Sequence, residues 1–164
     1  MNLSTNFTLE QLTISEIALR NGIDNTPDAD TVENLKVLAS ALEQVQIRLG
    51  HPLSVQSGFR CEELERILTD KAFKAWCAKR GKAVNNGSWK EYFATKGHPR
   101  GFSCDFTAPG YGSALEVCRS IRGSDIKYDQ LIYEFSAWCH LSVDLTLRMQ
   151  VLTIDAHGIR QGLG

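Results

Sequence analysis

The sequence predicts an α+β fold in which helices pack on one face of a mostly antiparallel central sheet. Two observations support this class. Segment 29–49 carries apolar residues at helical spacing, which is typical of a long amphipathic helix. Segments 131–135 and 139–143 are two short apolar runs separated by a few residues, which indicates a β-hairpin.

The first 50 residues are predicted to be helical. Thr8 and Gln11 have the spacing of a capping box, so a short helix should begin after Thr8. Asp28 is placed to cap the long helix and Gly50 to end it. The apolar stripe of this helix is a packing face that consists of Leu35, Leu38, Leu42, Val45 and Leu49.

Beyond residue 50 the predicted elements are shorter. Strands are expected at 53–57, 102–107, 131–135, 139–143 and 148–154, and helices at 61–79 and 113–122. Gly58 permits a turn between the first strand and the next helix. The glycine-containing tail, 155–164, is expected to be loose.

Length and charge limit the classes of function. A chain of 164 residues is expected to form one domain, 1–164, and we expect a monomer. The formal net charge of −1 gives no electrostatic reason to expect a nucleic acid or an anionic membrane as partner. No apolar run approaches the ~18 residues of a membrane span, so no membrane insertion is expected. No secretory signal is visible, so we expect folding in the cytoplasm of the producing cell.

The five cysteines form no Cys-x-x-Cys pair and are odd in number, which argues against a disulfide framework or a thiolate zinc site. We expect them to be buried as small apolar residues. Cys104 and Cys139 each lie next to a candidate metal ligand. Because neighbouring side chains on a strand point to opposite faces, both thiols should point away from the metal.

Three residues form a candidate metal site. His98 and Asp105 are seven residues apart, and His140 follows on a later strand. Two histidines and one carboxylate, with a fourth position left to water, are the ligands of a catalytic zinc site. Asp105 lies in an apolar strand, where a carboxylate must be paired or bind a metal. Ser142 and Asp144 share the strand parity of His140 and are predicted to orient its ring. The alternatives are a solvated or core histidine and a salt-bridged aspartate.

The order of these residues resembles the zinc D-alanyl-D-alanine carboxypeptidase family, which includes phage endolysins that cut L-alanyl-D-glutamate bonds and is related to the hedgehog zinc domain. The similar motifs are Ser57-Gly-Phe-Arg60, His98-x-x-Gly-x-x-x-Asp105 and Trp138-x-His140. The resemblance implies a hedgehog-like peptidase fold with Zn²⁺ held by His98, Asp105 and His140. It also implies that Arg60 lies in the cleft, where it binds a substrate carboxylate or polarises the scissile carbonyl.

The general base departs from the family pattern. Many members carry the catalytic glutamate three residues before the second histidine, and this chain has Ala137 there. If 135–139 form the hairpin loop, Glu134 lies opposite His140 on the same face, with Cβ atoms about 5 Å apart. We therefore predict Glu134 as the general base, with Asp144 as the next candidate by strand parity.

Other departures flank the site. Lys96 and Ser103 stand where many members have serine and alanine. The stretch between the arginine and histidine motifs is longer than in small phage members, so about 70–95 is predicted to be an insertion. It either shapes the substrate groove or elaborates the surface.

The sequence thus predicts zinc-dependent hydrolysis of peptide bonds in the stem peptides of bacterial peptidoglycan, with that stem peptide as the partner. The resemblance implies that the protein is a phage or prophage endolysin, which acts on the cell wall after its release from the cell. Both D-Ala-D-Ala and L-Ala-D-Glu bonds remain open as substrates. Two alternatives are a non-catalytic zinc module that binds cell wall or protein, and a structural phage protein without a metal.

Overall fold

The computed structural model describes residues 1–164 and confirms the α+β class. The helices are α1 Leu9–Thr13, α2 Glu16–Asn21, α3 Ala29–Leu49, α4 Glu62–Lys79, α5 Asn86–Phe93 and α6 Ala114–Arg122. The strands are β1 Ser54–Ser57, β2 Ser103–Thr107, β3 Gln130–Glu134, β4 Trp138–Ser142, β5 Gln150–Asp155 and β6 Gly158–Gln161. A short 3₁₀ turn spans His98–Arg100. None of the helices combines the length and the apolar character that crossing a bilayer requires.

The six strands form one sheet in the order β1-β2-β4-β3-β5-β6. Every neighbouring pair is antiparallel except β3 and β5, which are parallel. The sheet is therefore mostly antiparallel, as predicted. Strands β2 and β4 are neighbours inside the sheet, and two of the candidate site residues, Asp105 and His140, lie on them.

The helix ends follow the local capping signals. The side chains of Thr8 and Gln11 form the predicted capping box at α1. Asp28 Oδ1 accepts a hydrogen bond of 2.8 Å from the Thr31 N–H at the start of α3, and Gly50 ends α3 in the left-handed conformation at φ +66°. The predicted apolar stripe of α3 is buried. These ends are encoded within three or four residues, which is why the sequence predicts them well.

The two faces of the sheet have different roles. One face carries Cys104, Phe106, Cys139 and Leu141, which are fully buried in the main apolar core with the stripe of α3. Helix α6 packs against β3 and β4, and α3 packs against α6. The two cysteines next to candidate ligands thus point into the core as predicted, and burial raises the pKa of both thiols. The opposite face carries Asp105 and His140, which are direct cross-strand partners.

The hairpin register differs from the sequence prediction. The loop is 135–137, so Glu134 pairs with Trp138, and the residue opposite His140 is Ile132. The prediction that Glu134 lies directly opposite His140 is therefore wrong. Phe135 and Ser136 adopt positive φ values of 49° and 57°, which tightens the turn by two residues. Glu134 still lies on the His140 face, two residue pairs along the ladder, because strand parity is kept.

The C-terminal tail is ordered, in contrast to the prediction for 155–164. Strand β6 pairs with β5, and beyond it the Gly162 N–H donates to the Val151 carbonyl at 2.9 Å. The Thr153 hydroxyl donates to the Gly162 carbonyl at 2.8 Å and accepts from the Gly164 N–H at 3.1 Å. The glycine content suggested a loose segment, but the free edge of β5 offers hydrogen-bonding groups that the tail satisfies.

Segment 70–95 contains the second half of α4 and all of α5. Three buried aromatic residues and one cysteine form a small core of their own, separate from the main core, which we call the aromatic subcore: Phe73, Trp89, Tyr92 and Cys77. Asn85 caps α5, and the Trp89 indole N–H donates to Glu62 at 2.7 Å. The segment is thus a packed helix pair, and its status as an insertion stays a prediction.

Candidate metal centre

His98, Asp105 and His140 come together from three elements. His98 begins the 3₁₀ turn, Asp105 is central in β2 and His140 is central in β4. One ligand atom from each lies within 4.8 Å of the others. The three residues retain at most 8% exposure. A buried cluster of two imidazoles and one carboxylate is a donor set that suits a divalent cation.

The His98 ring is oriented by the backbone of the Ser57-Gly-Phe-Arg60 turn. Its Nδ1 lies 2.7 Å from the Gly58 carbonyl oxygen. A carbonyl can only accept, so Nδ1 carries the proton and Nε2 presents its lone pair to the cluster. Nε2 lies 3.4 Å from Asp105 Oδ2, on the side where a metal would sit.

Gly58 is required where the turn meets α1. A Cβ at this position would lie 2.3 Å from the Leu12 carbonyl oxygen, and the Phe59 N–H donates to that same oxygen at 2.7 Å. The Gly58 carbonyl that orients His98 is therefore fixed by a close contact between backbones. Only glycine fits this contact without moving the turn.

We expect Gly58→Ala to lower the free energy of unfolding by about 1–3 kcal/mol, because the added methyl group must displace main-chain atoms. Metal affinity should fall as well, since the shifted carbonyl no longer fixes His98. Urea unfolding with and without zinc measures both effects. Gly123→Ala is the control, because its Cβ would meet nothing closer than 3.5 Å and its φ is −82°. A Gly58→Ala protein as stable as Gly123→Ala would contradict the prediction.

Asp105 is the hub of the cluster. Its Oδ1 lies 2.7 Å from His140 Nδ1, and its Oδ2 accepts a 2.7 Å hydrogen bond from Arg60 Nη2. Burial raises the pKa of Asp105, but the charge that His98 carries when it is protonated, together with hydrogen bonds from His140 and from protonated His98, outweighs burial. The net result is a pKa well below the usual range. Asp105 is therefore a carboxylate at neutral pH and can serve as an anionic ligand.

His140 faces the same balance with the opposite sign. Burial lowers its pKa, but the hydrogen bond to Asp105 and the Asp105 charge outweigh burial, so the net pKa is raised. The negative charge of Glu134 adds to this rise. A cation bound between the three residues would take the place of the proton that now joins His140 to Asp105.

Arg60 is held by three partners. Its Nε donates to Ser57 Oγ at 2.8 Å, its Nη1 to Glu65 at 3.3 Å and its Nη2 to Asp105. Glu65 is only 1% exposed, so Arg60 links two buried carboxylates. Sequence reasoning missed Glu65, because α4 opens with Glu62, Glu63 and Glu65 and no local pattern separates the buried one.

The predicted partners of His140 lie elsewhere. Ser142 Oγ accepts from the Gln130 N–H at 3.0 Å, and the Asp144 carboxylate pairs with Arg100. The prediction that Ser142 and Asp144 orient His140 is wrong, since Asp105 holds the ring. Strand β4 ends at Ser142, so parity no longer places Asp144 on the site face.

Glu134 and Trp138 form a polar pair beside the cluster. They are direct cross-strand partners, and the Trp138 indole N–H donates to Glu134 Oε2 at 2.8 Å. Phe135 packs against Trp138 with ring centroids 5.7 Å apart and is 53% exposed. A half-buried carboxylate therefore lies on the face of the sheet that carries Asp105 and His140, with its orientation fixed.

Residues 5–69 of the chain match the family model described as Peptidase M15, and no curated protein matches the chain. The matched segment contains the Ser57-Gly-Phe-Arg60 turn and Glu65, and it ends before His98. Peptidases of this family depend on a metal. The match shows that this first part of the chain is similar to Peptidase M15, and the His-Asp-His cluster lies outside the matched residues.

Proposed function

We propose that this protein is a zinc peptidase that hydrolyses peptide bonds in the stem peptides of bacterial peptidoglycan, as phage endolysins do. One observation carries the proposal: His98, Asp105 and His140 converge with their ligand atoms within 4.8 Å. The peptidase assignment is supported by the Peptidase M15 match over residues 5–69. The peptidoglycan substrate and the endolysin role are supported by the resemblance of the motifs.

The donor set favours zinc. Nε2 of His98, Nδ1 of His140 and a carboxylate oxygen of Asp105 are three ligands of the kinds that catalytic zinc sites use, and they leave one position open. A bound zinc ion supplies Lewis acidity, which polarises a peptide carbonyl and makes water easier to deprotonate. The protein holds the ligands in place through the Gly58 carbonyl and Arg60.

Glu134 is the proposed general base. It lies on the His140 face, and its carboxylate is held by the Trp138 indole. It accepts a proton from the attacking water and passes it to the leaving amine. The usual position of the family glutamate is Ala137, which has no ionisable group, and neither Phe135 nor Ser136 supplies a carboxylate. The hairpin loop 135–137 therefore offers no general base of its own.

Arg60 is the proposed positioning group. A guanidinium has five N–H donors, and three of its nitrogen atoms here contact Ser57, Glu65 and Asp105. The remaining N–H groups are available for a substrate carboxylate or the scissile carbonyl. Because its side chain is only 14% exposed, its charge acts in a poorly solvated place.

We expect Arg60→Lys to lower kcat/KM by more than tenfold, or more than about 1.4 kcal/mol in transition-state stabilisation. Lysine keeps the charge but cannot contact two carboxylates and a hydroxyl from one planar group. The exposed Arg119 on α6 supplies the matched control, and Arg119→Lys should keep the wild-type rate. Equal rates for both variants would show that the guanidinium plane has no role.

The function is tested on protein purified without an affinity tag. Elemental analysis should find one zinc per chain. Digestion of defined muropeptides followed by mass spectrometry should give products that identify the cut bond, D-Ala-D-Ala or L-Ala-D-Glu. A chelator should abolish the products and added zinc should restore them. Bound zinc without any product would favour the non-catalytic zinc module, and absence of zinc would overturn the proposal.

A further inference from the structure

The charge of this chain is strongly segregated. Segment 71–96 carries seven basic residues and one acidic residue, while the whole chain has 18 basic and 19 acidic residues. The segment therefore has a net charge of +6 and the rest of the chain −7. We call the basic residues of this segment the basic face: Lys71, Lys74, Lys79, Arg80, Lys82, Lys90 and Lys96. The overall charge of −1 conceals this local excess.

The basic face is built on a defined support. The aromatic subcore fixes α4 against α5, and two cations lie over its rings. Arg80 is 4.7 Å from the Trp76 ring centroid, and Lys96 is 3.9 Å from that of Tyr92. Two further cations are paired, Lys74 with Asp70 just outside the segment and Lys82 with Glu91. Lys71, Lys79 and Lys90 are exposed and make no salt bridge, so these three charges face solvent uncompensated. Such an excess of one sign attracts anions over several ångströms.

This face adjoins the candidate metal centre. Helix α4 contacts the 3₁₀ turn that carries His98, and Lys96 precedes His98 by two residues. The Lys96 carbonyl accepts a 3.0 Å hydrogen bond from Arg100 Nε, which connects the end of the segment to that turn. A polymer bound on α4 and α5 would therefore lie beside the proposed cleft.

The character of the face favours a flexible phosphate polymer. Six of its seven cations are lysines, which act as point charges without the planar fork that reads bases. The aromatic rings of the segment are buried or half-buried in the subcore, so no exposed ring offers a platform for stacking bases. Charge without base recognition suits a chain of phosphodiesters linked by small polyols.

We propose that the basic face binds an anionic phosphodiester polymer of the bacterial cell wall and holds the enzyme next to its substrate. The choice of a wall polymer rests on the proposed function. The binding itself does not depend on turnover or on zinc, so a failure of either proposal can be distinguished from a failure of the other.

Binding is measured with purified poly(glycerol phosphate) at 50 and 200 mM salt. Wild-type protein should bind, and its affinity should fall as salt rises. The triple variant Lys71→Glu/Lys79→Glu/Lys90→Glu should lose at least about tenfold in affinity. A neutral variant with glutamine at the same three positions should lose less affinity. It separates the loss of positive charge from the effect of added negative charge. Circular dichroism verifies that the variants are folded.

The matched control makes the same charge change at three exposed basic residues in and after α6, which packs against β3 and β4: Arg119→Glu/Arg122→Glu/Lys127→Glu. It should keep the wild-type affinity within about twofold, since only the local field changes the binding. The proposal is overturned if wild-type protein does not bind, if the basic-face variants bind as wild type, or if the control loses as much. Tighter binding to DNA with the same number of phosphates would also overturn it, because the face would then serve nucleic acid.

Discussion

Asp105→Asn should abolish zinc retention at neutral pH. The carboxylate contacts both His140 and Arg60 and lies 3.4 Å from His98 Nε2, so its charge organises the whole cluster. Removing a residue that only orients a ligand costs about 10–100-fold in metal affinity, and loss of an anionic ligand should cost more. Elemental analysis after gel filtration, with competition by a chelating dye, measures the loss. His98→Ala should have the same effect.

The control for this prediction is Asp129→Asn. Asp129 is also buried, at 3% exposure, but its carboxylate binds Arg148 at 2.7 and 2.8 Å, away from the cluster. Hydrogen bonds from Arg148 lower the pKa of Asp129 despite its burial, so its contribution to stability is present above pH about 4 and is lost as pH falls further. Asp129→Asn should therefore lose stability and keep zinc. Full zinc occupancy in a His98→Ala/Asp105→Ala variant would reject the ligand assignment.

Zinc affinity should also fall with pH. Both histidines must be neutral to bind a metal, and the pKa of His140 is raised by Asp105. A raised pKa keeps the proton on the imidazole at a higher pH, so protons compete with zinc from neutrality downwards, most strongly below about pH 6. The pKa of Asp105 lies far below this window, so its own titration does not contribute. Dye competition between pH 5 and pH 8 gives the profile.

Glu134→Gln should lower kcat by roughly 10²–10⁴ while zinc stays bound. Glutamine keeps the shape of the side chain and can still accept a hydrogen bond from Trp138, but it cannot take a proton from water. Glu134 is not among the three residues whose ligand atoms cluster, so zinc content should match wild type. Single-turnover hydrolysis of a muropeptide, together with elemental analysis, separates the two effects.

An exposed glutamate on α3 provides the matched control. Glu33 pairs only with Lys36 on the surface, and Glu33→Gln should hydrolyse the substrate at the wild-type rate. If Glu134→Gln is as active as Glu33→Gln, Glu134 is not the base. Asp144, the next candidate by strand parity, would not replace it easily, because Arg100 already holds its carboxylate.

The helix ends and the sheet class follow from the sequence because they depend on neighbouring residues. Thr8 with Gln11, Asp28 with Thr31 and Gly50 each act within one helical turn. Alternation of apolar and polar residues likewise decides which strand face enters the core, and so which way Cys104 points. Because these signals involve residues close together in the chain, they predict the local structure even when the fold is unknown.

The three candidate ligands and their grouping were predicted from the sequence, but the strand register that brings them together was not. Asp105 and His140 meet because β2 and β4 are neighbours in this register, although 35 residues separate them in the chain. A separate, local feature set the position of Glu134: the hairpin turn 135–137 places it opposite Trp138 and not opposite His140. A two-residue change in loop length shifts every partner along a hairpin, and the turn conformation alone decides it.

Only the tertiary structure determines which individual polar groups are buried. Glu65 is one of three glutamates at the start of α4, and only the position of Arg60 makes it the buried one. The tail has the composition of a loose segment, yet the open edge of β5 binds it. In both cases the partner lies far away in the chain, so local propensity carries no information about it, and the free energy of satisfying buried hydrogen-bonding groups determines the outcome.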